Sequence, residues 1–196
     1  MKRFAACLVF CLAALPALAD GAQEQAKPVA ANPTQTRAER LDALFAELAR
    51  AGSEREANAV SQRIWAEWNR SESDTIDLLM RWAGEAAARK DNAIALDFLD
   101  AATALAPTYA EAWNRRATLH YQMNNFAKSM QDIERTLALE PRHFGALSGL
   151  AGILTQTGHK EMALQAWERA LAVYPMMRDA QKAVGELSEE LAGDRS

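Results

Sequence analysis

The stretch AEAWNRRATLHYQMNNFAKSMQDIERTLALEP, from Ala110 to Pro141, decides the fold. It is rich in Ala, Leu, Glu and Arg and lacks the strict apolar alternation of a strand, which favours helices. Asn124–Asn125 supplies residues typical of a turn, and Pro141 stops a helix because it lacks the amide hydrogen and clashes with the preceding turn. The stretch therefore predicts two short antiparallel helices.

The same pattern recurs along the chain. Pro107, Pro141 and Pro175 lie 34 residues apart. In that register small residues coincide at two sites and bulky residues at a third: Ala83, Ala117 and Ala151; Ala95, Ser129 and Ala163; Leu99, Ile133 and Trp167. Two helices approach closely only where one carries a small side chain, and bulky side chains fill the space on either side. The period predicts an array of stacked helix pairs.

The middle unit, residues 110–143, resembles a tetratricopeptide repeat. The residues that carry this resemblance are Trp113, Ala117, Phe126, Ser129, Thr136 and Pro141. The units 76–109 and 144–177 keep the small residues and the final proline. Two residues depart from the family pattern, since Arg116 stands where the family usually has leucine and His120 where it usually has an aromatic residue.

Two further segments flank these three units. Residues 38–71 predict a helix pair around Gly52, and because its spacing to the next unit is longer than the repeat, we interpret it as a divergent first repeat. Residues 178–192 predict a capping helix whose acidic side chains face outward, since the last repeat would otherwise expose its apolar face. We therefore expect residues 38–192 to form an all-α, right-handed α-solenoid of about four antiparallel helix pairs plus a C-terminal cap. The five tryptophans, at helical spacing, are predicted to lie in its core; the alternative is that they form a binding platform.

The N-terminus is typical of an exported protein. Two basic residues precede an apolar run that ends in the small triplet Ala17–Ala19, which predicts a cleaved signal peptide over residues 1–19. The run is too short to cross a membrane. Residues 20–37, rich in Ala, Gln and Pro, predict a flexible linker. We expect a soluble protein in the periplasm, with secretion as the alternative.

Composition disfavours several classes of chemistry. Cys7 and Cys11 both lie in the predicted signal peptide, so no thiol or disulfide chemistry is expected afterwards. A net charge of −4 disfavours nucleic acid and anionic lipid, which are bound by clustered Lys and Arg. His120, His143 and His159 fall on different parts of the repeat, so no metal site is predicted. Without a Gly-rich phosphate loop or a Ser-His-Asp arrangement, we expect no enzyme, no catalytic residue and no cofactor.

The resemblance implies a binding surface instead. First helices of stacked pairs line a concave groove, and such grooves bind extended peptides or single helices. By resemblance, the groove-facing residues are Asn114, Thr118, Tyr121, Gln122, Ser148, Gly152, Thr155, Gln156, Met80 and Gly84. This small and weakly polar lining predicts a protein or peptide ligand whose side chains enter shallow pockets; alternatively, the small residues only permit tight coiling. Family members that grip a C-terminal carboxylate use Lys, Asn and Arg here, and only Arg115 resembles one of these residues, so no carboxylate clamp is expected.

These expectations favour a non-enzymatic adaptor that recruits partner proteins in the cell envelope and so supports its assembly or integrity. Two alternatives stay open. The chain could be a structural scaffold that self-associates through its N-terminal helix pair, or a periplasmic assembly or secretion chaperone. Fold-level resemblance does not name the partner, because repeat arrays serve many processes with one architecture.

Overall fold

The computed structural model describes residues 35–193, so the predicted signal peptide and nearly all of the predicted linker lie outside the described residues. Within this range the chain forms α-helices and no strand. The helices are α1 (Arg37–Arg50), α2 (Glu54–Trp68), α3 (Asp74–Ala88), α4 (Asn92–Leu105), α5 (Ala110–Gln122), α6 (Phe126–Leu139), α7 (Phe144–Gln156), α8 (Lys160–Val173) and α9 (Arg178–Gly193).

Local sequence sets the helix starts near the N-terminus. Thr36 and Glu39 form a capping box, in which the Thr36 hydroxyl accepts from the Glu39 amide and the Glu39 carboxylate accepts from the Thr36 amide. This backbone hydrogen bond lowers the pKa of Glu39 below its usual value. Ser53 and Ser73 cap α2 and α3 in the same way, through their hydroxyl oxygens. The capping box thus sets the start of α1 at Arg37.

The turns inside the three repeats share one backbone geometry. Lys90, Asn124 and Gly158 each adopt a left-handed conformation, with φ of 65°, 58° and 79°. The next residue in each turn donates its amide to a carbonyl five residues earlier, as in the hydrogen bond of 2.8 Å from Asn125 to His120. This is the pattern in which a left-handed residue ends a helix and satisfies its last carbonyls. The turns therefore repeat every 34 residues, as the helices do.

The predicted small residues lie where the helices meet. Ala83, Ala95, Ala117, Ala151, Ala163 and Ser129 are all 0–2% exposed. Ser129 also donates its hydroxyl to the carbonyl of Ala117 on the paired helix, at 2.8 Å. At the C-terminal end, α9 packs on α8 through Ala180, Leu187 and Leu191, and its acidic residues face outward. The expected all-α solenoid of antiparallel helix pairs with a C-terminal cap is confirmed.

The first helix pair packs in a place that the repeat register does not predict. Leu41, Leu44, Phe45, Leu48, Val60, Ile64 and Trp68 of α1 and α2 form one core with Phe144 at the start of α7 and Tyr174 after α8. In the described residues, this core includes no side chain of α3 or α4. The pair therefore packs against the third repeat instead of extending the stack from α3.

Aromatic contacts explain this placement. The Trp68 ring lies 4.9 Å from the Phe144 ring, and the Phe144 ring lies 5.4 Å from that of Tyr174. Such pairs are worth about 0.5–1.5 kcal/mol each beyond the area that they bury. The connection Asn69–Ser73, with Glu72 in a left-handed conformation at φ 63°, lets the chain turn away from the stacking direction. Tertiary packing overrides the repeat register here.

Candidate partner-binding groove

Helices α3, α5 and α7 are the first helices of the three repeats, and they carry the ten groove residues expected from the sequence. Two of the ten are buried: Met80 is 4% exposed and belongs to the core shared with α4, and Asn114 is 7% exposed. The Asn114 amide donates to the buried Glu111 carboxylate at 2.9 Å. In this structure Met80 and Asn114 shape the groove from below and offer a ligand little surface.

The other eight residues are at least partly accessible. Gly84, Thr118 and Gln122 surround a cavity of about 250 Å³. Tyr121 and Gln156 are hydrogen-bonded to each other across the two neighbouring first helices, and Gly152 lies beside the Tyr121 ring. Thr155 is exposed and Ser148 is half-buried. The structure thus brings together a continuous strip over α3, α5 and α7.

The three hydroxyl groups of the groove act as hydrogen-bond acceptors toward a ligand. Thr118 donates its hydroxyl to the carbonyl of Asn114 at 2.9 Å, and Thr155 donates to that of Ala151 at 2.8 Å. Ser148 likewise donates to Phe144 at 2.7 Å. Because each hydroxyl has used its one hydrogen, it presents only oxygen lone pairs and, for threonine, a methyl group. These hydroxyls can therefore accept from N–H or O–H donors of a partner, and the exposed Gln122 amide beside them offers both donors and an acceptor.

Helix α2 occupies one end of this groove. The Trp65 ring lines the 250 Å³ cavity and also lies over Gly145 at the start of α7. A β-carbon at position 145 would lie 2.7 Å from the end of the Trp65 ring, so only glycine fits beneath it. Trp68 stacks on the His143 ring with centroids 4.0 Å apart. The chain's own tryptophan therefore forms one wall of the open groove.

The buried carboxylate of Glu111 joins the second and third repeats beneath the α1–α2 pair, which we call the hairpin. Glu111, 4% exposed, accepts from Arg115 at 3.0 Å and from Asn114, and it contacts the fully buried His143 at 3.2 Å. His143 Nδ1 accepts from the Ala146 amide, so the ring proton lies on Nε2 and is donated to Glu111. Arg115 also donates to Asn69 at the end of α2. The one residue that resembles a carboxylate-clamp member is thus engaged within the protein.

Sequence reasoning missed Glu111 and Trp65 as part of the groove. An acidic residue in the first turn of a helix is ordinary, so Glu111 carried no signal of burial. Trp65 belongs to the predicted divergent repeat, which was not expected to reach the groove. The unusual pair of small residues Gly145 and Gly149 on α7 was the available signal, because Gly145 accommodates a large side chain.

The two departures from the family pattern have polar partners. Arg116 donates to Asp132 at 2.7 Å and to Asp100 of the preceding repeat at 2.7 Å, and its hydrogen bond to Asp132 raises its pKa. His120 is buried, and in the described residues its Nδ1 has no hydrogen-bond partner. Burial lowers the pKa of His120. The α4–α5–α6 contact is therefore held by an ion-pair network where leucine is usual.

Buried polar atoms also lie near the hairpin. In residues 35–193, the Tyr109 hydroxyl and Trp68 Nε1 have no hydrogen-bond partner. Burial raises the pKa of Tyr109 well above its usual range, and the neighbouring Glu111 charge adds to the effect. Within the described range, no group of three His, Cys, Asp or Glu side chains is arranged to hold a metal ion. None of the described helices has the length and apolar character that a membrane crossing requires.

Comparison with known proteins gives one family. A tetratricopeptide repeat profile matches residues 110–143. The chain is 49% identical over 189 residues to a TPR repeat-containing protein of Rhizobium etli, covering 96% of this chain and 93% of that protein. It is 27% identical over 121 residues to the small glutamine-rich tetratricopeptide repeat-containing protein 2 of Saccharomyces cerevisiae, covering 59% of this chain and 35% of that protein.

Solved structures show the same fold. The first TPR of Spaghetti (RPAP3), bound to the HSP90 peptide SRMEEVD, has a TM-score of 0.58 at 20% identity and covers 61% of this chain and 95% of that one. The Sgt2 TPR domain from Aspergillus fumigatus has a TM-score of 0.58 at 19% identity, with coverages of 63% and 84%. At these identities the similarity shows the fold alone.

Proposed function

Because the chain belongs to the tetratricopeptide repeat family, whose members generally mediate protein–protein interaction, we propose that it is a non-enzymatic adaptor that binds a polypeptide in the open part of its groove. The observation that carries this proposal is the cavity of about 250 Å³ between α3, α5 and Trp65. A solved relative of the same fold, the first TPR of Spaghetti, holds a peptide.

The cavity defines the chemistry of the partner. Its walls are the apolar surfaces of Ala83, Ala87, Leu99, Leu119 and Trp65, and its rim carries Thr118 and Gln122. A volume of this size accommodates one large apolar side chain, and burying such a side chain is worth about 1.5–3 kcal/mol. We propose a partner segment with one bulky apolar anchor, flanked by polar groups that form hydrogen bonds with Thr118 and Gln122 at the rim.

A substitution that places a large side chain in the cavity tests this proposal. In the described residues, nothing lies within 4 Å of a β-carbon built at Gly84 or at Gly185 on the outer face of α9. Gly84→Leu is expected to weaken binding of a peptide selected on the protein by about tenfold or more, because the new side chain takes the anchor's place. Gly185→Leu is the matched control. The measurement is peptide titration by fluorescence anisotropy.

Both variants replace a helical glycine, so neither is expected to destabilise the fold. Equal affinity of the Gly84→Leu protein and the unchanged protein for the selected peptide would refute the groove as the binding surface. Equal weakening by Gly185→Leu would do the same, because that position is remote from the cavity in the repeat order.

The proposed place of action is the cell envelope. The support is the sequence of residues 1–19, with its basic start, apolar run and small-residue end, which lies outside the described residues. We propose that the protein is exported to the periplasm and acts there as an adaptor in envelope assembly or integrity. A fusion of residues 1–34 to a reporter that is active only after export is expected to be active. A reporter that stays inactive would remove the envelope proposal and leave the groove proposal intact.

A further inference from the structure

An apolar surface is exposed at the α3–α4 end of the array. Ile94, Phe98, Ala101 and Leu105 follow one face of α4 at spacings of four, three and four residues. Ile94 is 47% exposed and Leu105 is 66% exposed. Trp82 of α3, 41% exposed, packs beside Phe98 with ring centroids 5.4 Å apart. We call Trp82, Ile94, Phe98, Ala101 and Leu105 the end surface.

The same face of the next repeat is a helix-packing face. Arg116 occupies the register position of Trp82, and it contacts Asp100 and Thr103 of the preceding helix α4. The corresponding positions on α6 are Lys128, Asp132, Arg135 and Leu139, and three of the four are charged, so the repeat itself does not require an apolar stripe there. The third repeat has apolar residues at most of these positions (Leu150, Met162, Ala166 and Val173, with Arg169), and Val173 there packs against the core of α1 and α2.

The first two described helices, α1 and α2, do not cover this surface. The core of α1 and α2 joins the third repeat, and among described residues it includes no side chain of α3 or α4. Exposed apolar patches of this kind usually mark an interaction site.

Two charged residues beside the end surface indicate what binds there. Arg81 directly precedes Trp82, Asp97 directly precedes Phe98, and both charged residues are exposed. Each charged side chain therefore lies about 100° around its helix from its aromatic neighbour, on the side away from the paired helix. When a second copy is turned so that α4 of one chain faces α3 of the other, Asp97 of each copy meets Arg81 of its mate. With α4 facing α4, the two Asp97 side chains would meet instead.

We propose that two copies of this chain associate through the end surface, with α4 of each copy lying over α3 of the other. The arrangement is a closed twofold pair, the commonest symmetry of soluble oligomers. Phe98 of each copy then packs on Trp82 of its mate, and two Asp97–Arg81 pairs flank the apolar contact. The N-terminal helix pair, whose apolar face is already buried, takes no part in it. The groove residues of α5 and α7 lie outside the contact.

Sedimentation velocity of the purified exported protein from about 1 to 100 µM tests the proposal, a range that covers weak specific association. We expect a dimer that Ile94→Glu with Leu105→Glu converts to a monomer, because both positions are exposed in a single copy. Met162→Glu is the matched control, since Met162 is an equally exposed apolar residue (54%) on α8. It is expected to leave the dimer unchanged.

Charge exchange tests the orientation of the two copies. Arg81→Asp alone and Asp97→Arg alone are each expected to weaken the dimer by about tenfold, because each places like charges together. The double variant Arg81→Asp with Asp97→Arg is expected to restore it. A protein that stays monomeric at about 100 µM, or a dimer that the Ile94→Glu and Leu105→Glu changes do not affect, overturns the proposal. Failure of the double variant to recover overturns the α4-over-α3 arrangement.

Discussion

Trp68→Ala is expected to lower the free energy of unfolding by about 3–5 kcal/mol, the range for removing a fully buried tryptophan. Trp68 is 1% exposed, stacks on His143 and lies against Phe45 and Phe144. Its removal leaves a cavity between α2 and α7, in the middle of the core that α1 and α2 share with the third repeat. The measurement is urea unfolding followed by circular dichroism, with the midpoint compared at constant slope.

Trp82→Ala is the matched control for this prediction. Trp82 is 41% exposed on α3, so its removal is expected to cost about 1 kcal/mol or less. Both proteins are to be compared at about 1 µM, where self-association contributes little to stability. If Trp68→Ala and Trp82→Ala were equally mild, the α1–α2 pair would not be anchored on the third repeat as described.

Glu111→Ala is expected to cost about 2–3 kcal/mol, because it leaves buried donors without an acceptor. The His143 Nε2 hydrogen and the Asn114 amide both point at the Glu111 carboxylate, and the partly exposed Arg115 loses its ion pair. Glu111→Gln keeps one carbonyl acceptor without the charge, so it is expected to cost less than the alanine change. Thermal and urea unfolding report both effects.

Glu134→Ala provides the control, since Glu134 is an exposed glutamate on α6. Its removal is expected to change stability by at most about 0.5 kcal/mol. A Glu111→Ala protein as stable as the Glu134→Ala protein would contradict the buried network and its role in joining α5 to α7.

The repeat array was predictable because its signals are local. A proline at the end of each unit, a left-handed residue in each turn and small residues at helix contacts all act within one 34-residue unit. Thr36, Ser53 and Ser73 are likewise recognisable caps. Such features recur at a fixed spacing in the sequence, so the helix pairs and their order can be predicted from it.

The arrangement across the groove was not predictable for the opposite reason. The contact between Trp65 and Gly145 joins residues far apart in the chain, and neither residue alone indicates the other. The sequence placed Met80 and Asn114 on the groove by register, yet register does not determine how deeply a side chain lies below its neighbours. The prediction that the tryptophans are core residues holds fully only for Trp68. Trp65, Trp113 and Trp167 are half-buried, and Trp82 is 41% exposed because no described helix stacks on that end of the array.

The hairpin's attachment also changes how the chain can unfold. Tyr174 donates its hydroxyl to Asn58 at 2.6 Å across 116 residues of sequence, and Arg178 pairs with Glu54 at 2.8 Å. An ordinary solenoid makes contacts only between neighbouring units, so its ends can fray one unit at a time. Here α2, near the start of the described chain, is bonded to residues that follow α8, near its end. We expect the added long-range contacts to slow folding and to couple the opening of α1 and α2 to the opening of the third repeat.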